Sequence, residues 1–116
     1  MHTQPAFNLY LETLPVMLSI NVDATAARRR VSGWIVSQVS TSCMADTPDL
    51  VATLTPQSSA YWRIPVVFVE QGLGVLGQVG VVHVNAQTGE IDATPEMAEL
   101  FFSNAVKLSS EHHAQA

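Results

Sequence analysis

Residues 61–69, Tyr-Trp-Arg-Ile-Pro-Val-Val-Phe-Val, restrict the fold of this chain more than any other segment. A period of two puts Trp62, Ile64, Val66 and Phe68 on one strand face and Tyr61, Arg63, Pro65, Val67 and Val69 on the other. Gly72, Gly74 and Gly77 then punctuate a turn, and residues 78–85 resume a strand, so the two runs are expected to pair antiparallel. Pro65 has no amide proton, which directs it to an edge, a bulge or a ladder position whose amide points away from a neighbour.

A sheet with an apolar face has to be covered, and two segments have the helical period to do it. Asp23 is a suitable N-cap for a helix over residues 24–39, in which Ala24, Ala27, Val31, Trp34, Ile35 and Val39 recur at spacings of three and four. Gly33 weakens that helix by about 1 kcal/mol relative to Ala, or else permits close packing. Thr94 as N-cap and Pro95 at the first helical position open the second helix, with Met97, Leu100, Phe101, Ala105 and Leu108 as its buried stripe. Beyond it, residues 109–116 have no apolar period and are expected to fray.

The remaining segments are shorter. Val16, Leu18, Ile20 and Val22 share one face of a strand over residues 15–22, while Phe7, Leu9, Leu11 and Leu14 alternate as in a short strand or an extended arm. Residues 40–49 read as a loop and residues 50–55 as a strand. Residues 85–90 form a tight turn with Gly89 suited to a positive φ, before a short strand at Ile91. The expected fold is α+β, an antiparallel sheet of about four strands packed against two amphipathic helices. Its 116 residues suit a single domain with one core.

Composition narrows the function classes. With 47% hydrophobic and only 13% charged residues, the chain is far from the signature of disorder, and much of its surface must be weakly polar or apolar. That favours a homo-oligomer. A net charge of -5 opposes nucleic acid and anionic membrane as partners. Arg28, Arg29 and Arg30 point about 100° apart on a helix, and read as a solvated face rather than an anion site. Cys43 is the only cysteine, so there is neither an internal disulfide nor a cysteine-type zinc cluster, and a reducing compartment is the simpler setting. No stretch of about 18 apolar residues is present, and residues 1–5 lack the pattern of a secretory signal, so the expectation is cytoplasmic.

No catalytic constellation, metal set or cofactor motif emerges. Three of the four histidines (His2, His112, His113) lie towards the termini, and His83 sits alone on a strand, where a half-buried polar residue is the ordinary case. Cys43 would need a neighbouring histidine to act as a nucleophile. Glu90, Asp92, Glu96 and Glu99 gather near the start of the last helix, which its dipole explains without a cation. Gly72-Leu73-Gly74-Val75-Leu76-Gly77 fits the Gly-x-Gly-x-x-Gly pattern, but a strand follows where a nucleotide site requires a helix.

The segment from Tyr61 to Val67, followed after the glycine-rich turn by Val81-Val82-His83-Val84-Asn85-Ala86-Gln87-Thr88-Gly89-Glu90-Ile91, resembles the PepSY domain pattern of a tryptophan-bearing strand and a closing Val-x-Val-Asp-Ala-x-Thr-Gly-Glu-Val. Asn85 stands where the family has Asp. The resemblance covers roughly residues 24–91 and implies a non-catalytic module of a helix on an antiparallel sheet, often linked to inhibiting or chaperoning peptidases and commonly extracytoplasmic.

Two functional expectations follow. The first is a self-associating, non-enzymatic interaction or regulatory module that uses Tyr61, Val67 and Val69, an exposed strand edge or the loop at residues 72–77. The Tyr61/Val67/Val69 face would be covered by the N-terminal arm, a subunit or a protein partner. The alternative is a small-ligand pocket or minor enzyme between helix and sheet, with His83 or Glu90 as its polar group.

Overall fold

The β-rich run at residues 61–69 becomes the strand around which the rest is arranged. The computed structural model describes residues 6–11, 14–53 and 59–114. Its elements are β1 (Ala6–Leu11), β2 (Leu14–Ser19), α1 (Ala24–Gln38), β3 (Cys43–Ala45), β4 (Asp49–Thr53), β5 (Ser59–Glu70), β6 (Gly74–Asn85) and α2 (Pro95–Ala114). β5 pairs antiparallel with β6 along one edge and with β4 and then β3 along the other, giving the expected α+β fold with a four-stranded antiparallel sheet. No helix among the described residues is long and apolar enough to cross a membrane.

Pro65 lies opposite the break between β3 and β4. Ala45 pairs with Val66 and Asp49 with Arg63, so residues 46–48 stand opposite only residues 64 and 65. The Pro65 carbonyl accepts from the Asp46 amide at 2.8 Å. In a strand the N and C=O of one residue face the same side, so the missing proton of Pro65 faces the seam between β3 and β4, where the ladder is already interrupted.

The helices lie together on the Trp62/Ile64/Val66/Phe68 face. Val31 and Ile35 from α1 and Phe101 and Ala105 from α2 join Ile64, Val66, Val82 and Val84 in one core, with Trp34 set edge-on to Phe101 at 5.7 Å. Both caps form as the sequence implies: Asp23 Oδ1 accepts from the Ala26 amide at 2.8 Å and Thr94 Oγ1 from the Met97 amide at 3.1 Å. The arginines are less idle than a solvated face. Arg28 Nε donates to the Ala45 carbonyl at 3.1 Å, and Arg30 Nη1 donates to the Gly89 carbonyl at 3.1 Å, tying α1 to β3 and to the turn after β6.

Four expectations are corrected. Residues 40–49 are not all loop, because β3 pairs there with residues 66–68 of β5. The strand expected to reach Val22 stops at Ser19 and pairs with β1 outside the main sheet, since the Asn21 and Val22 amides both turn to the Ala86 carbonyl at 2.9 Å. The last helix continues to Ala114, its final turn held by His113 Nε2 against Glu70 Oε1 at 2.9 Å. Gly77, expected in the turn, belongs to β6, where a Cβ would stand 3.0 Å from the Leu108 methyls. Leu54 and Thr55 of the expected strand, and residues 115–116 of the expected tail, lie outside the described residues.

Gly89 has φ +81°, and a Cβ there would stand 2.9 Å from the Arg30 guanidinium carbon. Gly89→Ala is expected to cost about 1–3 kcal/mol in urea unfolding. In an Arg30→Ala background the steric part of that cost should vanish and the backbone part, about 1 kcal/mol, should remain.

Candidate functional site

The second face of β5 carries Tyr61, Arg63, Pro65, Val67 and Val69, and the antiparallel register extends it on both sides. Asp49 stands opposite Arg63 and Met44 opposite Val67 on one flank; His83, Val81, Gln78 and Val75 stand opposite Arg63, Pro65, Val67 and Val69 on the other. The face therefore divides in two: a polar end around Tyr61, Arg63 and His83, and an apolar end made by Met44, Pro65, Val67, Val69, Val75 and Val81. Neither helix covers it, because both pack into the core on the opposite face.

The polar end is ordered by short-range bonds. Asn85 Oδ1 accepts from the Gln87 and Thr88 amides at 2.8 and 3.0 Å, and the Asn85 amide donates to the Glu90 carbonyl at 2.8 Å, which closes the turn. The returning chain pairs Ile91 with Val84 and so brings Asp92 beside His83. Asp92 Oδ1 accepts from the His83 amide at 2.7 Å, Asp92 Oδ2 lies 3.1 Å from His83 Nδ1, and the Tyr61 ring meets the imidazole at 4.8 Å between centroids. A carboxylate that orients a histidine is the supporting half of an acid–base pair. Here it faces open surface, with the two side chains 43% and 51% exposed. Sequence reasoning placed Asp92 with the helix-dipole acids and missed this contact, which the antiparallel return around residues 85–90 could have signalled.

The other expected groups do not gather around it. Glu90 is an exposed turn residue. Cys43 is buried in the core, and burial raises its thiol pKa, a poor setting for a nucleophile. No group of three or more metal-binding side chains occurs among the described residues. An open cleft of about 310 Å³ lies at the junction of the helices, lined by Gln38, Val39, Pro95, Ala98, Glu99 and Phe102, and neither His83 nor Glu90 contributes to it.

At the apolar end, Met44 is 45% and Val75 60% exposed, while Val67 between them is only 7% exposed. Tyr61 and Val69 are half-buried. Val67 is thus a packed centre of this face, and Met44 and Val75 are the accessible positions at its rim. A second exposed apolar group, Phe102 and Val106, lies on α2. No protein-family model, curated protein or solved structure matches the chain.

Proposed function

We propose that the chain is a non-enzymatic, self-associating protein-interaction module that works through the apolar end of the sheet face its helices leave open. The observation that carries this is the run Pro65-Val66-Val67-Phe68-Val69, apolar on both faces of the central strand. An antiparallel sheet with one face in water alternates apolar and polar residues; a continuous apolar run belongs to a strand buried on both sides. One side of β5 has its cover in α1 and α2; neither helix packs on the other, where Val67 is buried but Met44 and Val75 beside it are exposed. The PepSY-like pattern of residues 24–91 adds to the reading, because it implies a non-catalytic module. A reducing, cytoplasmic setting fits a single buried thiol.

Replacing Met44 and Val75 together by Lys tests the surface while sparing the core, since exposed substitutions change stability by only about 0.5 kcal/mol. Sedimentation equilibrium of the double variant should show association weakened by at least about tenfold, the ordinary cost of charging an interface contact. Association as tight as in the unsubstituted chain would overturn the reading.

A further inference from the structure

We infer that the cleft where the end of α1 meets the start of α2 is a recognition site for a guanidinium group, the cation that an arginine side chain carries. The site is separate from the open sheet face and does not rest on the interaction reading. Gln38 and Val39, the last residue and the cap of α1, line one side of it; Pro95, Ala98, Glu99 and Phe102, from the first two turns of α2, line the other. A volume of about 310 Å³ is near the lower end for small-molecule sites, room for one long side chain or a small amine rather than a large cofactor.

The charge in this cleft has one sign. Glu99 is the only ionisable residue that lines it; it is exposed and forms an ion pair with none of the described residues. α1 adds to that charge. The Val39 and Ser40 amides both turn to the Ile35 carbonyl, at 2.8 and 2.9 Å, so the Ser40 amide is not spent on Val36 and the last carbonyls of the helix look outward for donors. No basic residue stands in the last turn of α1 to supply them, and the helix dipole places negative partial charge there. The start of α2 has the opposite polarity, but it is already answered within the chain. Pro95 has no amide proton, Thr94 Oγ1 accepts from the Met97 amide at 3.1 Å, and Glu96 occupies the first turn.

Phe102 decides which cation fits. It lines the cleft and is 52% exposed. An aromatic ring beside a carboxylate suits guanidinium better than ammonium, because guanidinium is planar, weakly hydrated and able to stack on the ring. It also meets a carboxylate with two parallel N–H donors and keeps further donors for carbonyl oxygens, which the end of α1 and the Gln38 side chain offer. An ammonium ion in a cleft this open would keep its water.

Amide NMR titration of the whole chain tests this with four probes: ethylguanidinium, ethylammonium, a blocked pentapeptide of glycines with a central arginine, and the same peptide with uncharged citrulline in its place. Ethylguanidinium and the arginine peptide are expected to shift signals centred on residues 38–39 and 95–102, with a dissociation constant on the order of 1 mM, as an exposed ion pair and one cation–π contact together would give. The citrulline peptide should bind at least about tenfold more weakly. Tighter binding of the arginine peptide than of ethylguanidinium would assign the cation to a protein partner, and equal binding to a free guanidine. Glu99→Gln should weaken ethylguanidinium by about fivefold and Phe102→Leu by about threefold, both with the thermal midpoint unchanged. Glu111→Gln removes the same charge from α2 outside the cleft and should leave binding as it was. Equal weakening by Glu111→Gln would reduce the effect to overall negative charge and overturn the site, as would shifts centred elsewhere, no binding at all, or ethylammonium binding as tightly as ethylguanidinium.

Discussion

Gly80→Ala is expected to destabilise the protein by about 2–3 kcal/mol, lowering the thermal midpoint by roughly 10 °C. A Cβ on Gly80 would overlap the edge of the Phe101 ring, at Cε1 and Cζ. That ring cannot step aside, because it is 3% exposed and lies edge-on to Trp34 in the shared core of α1, α2 and the sheet. Adding one methyl group therefore pushes α2 off β6, a contact further held by Asn104 Nδ2 donating to the Val79 carbonyl at 2.9 Å. Combining Gly80→Ala with Phe101→Leu should recover part of the loss, a coupling that urea titration of the four proteins in the cycle would measure. Gly33→Ala provides a control of opposite sign. Nothing lies within 4 Å of a Cβ there, and the position is an exposed helix interior, so a gain of about 0.5–1 kcal/mol is expected.

Trp62→Ala is expected to cost about 3 kcal/mol. Trp62 packs against both apolar clusters: the main one between helices and sheet, and the small one of Ile20, Ala60 and Ala86 at the root of the hairpin. Its indole nitrogen also donates to the Val22 carbonyl at 2.6 Å. Removing the ring opens a cavity at the junction and leaves that carbonyl without its partner. Trp62→Phe separates the two effects, keeping most of the packing and losing about 1 kcal/mol with the hydrogen bond. Because the junction joins the hairpin to the body, native-state hydrogen exchange in residues 20–22 should accelerate more in Trp62→Ala than exchange in α2.

How much of this was legible in the sequence depended on how local the controlling interaction is. The β5–β6 pair, the Asp23 and Thr94 caps and the turn at residues 85–90 each follow from residues a few positions apart, and each forms as the sequence implies. β3 was not legible. Cys43, Met44 and Ala45 form a strand only because residues 66–68 present an open edge to them, and a three-residue run holds no period to read. The alternation that extended the upstream strand to Val22 is real, but Ile20 and Val22 are buried by leaving the strand, and the Ala86 carbonyl that redirects them lies more than sixty positions away.

The candidate surface shows the same division. Alternation along β5 was enough to put Tyr61, Val67 and Val69 on one face, and the structure keeps them there. It could not show that Val67 is the packed centre while Met44 and Val75 form the accessible rim, since that depends on which strands lie alongside. His83 was read as solitary because Asp92 reaches it only through the chain's return at Ile91.

Oxidative footprinting of Met44 across a range of protein concentrations tests the interaction surface most directly. Met44 is 45% exposed in the single copy, and Phe102 on α2, at 52%, reports on the rival apolar surface in the same sample. If the open sheet face is the interface, Met44 should become protected as the protein associates while Phe102 stays reactive; protection of Phe102 with Met44 unchanged would move the interface to α2 and contradict the account.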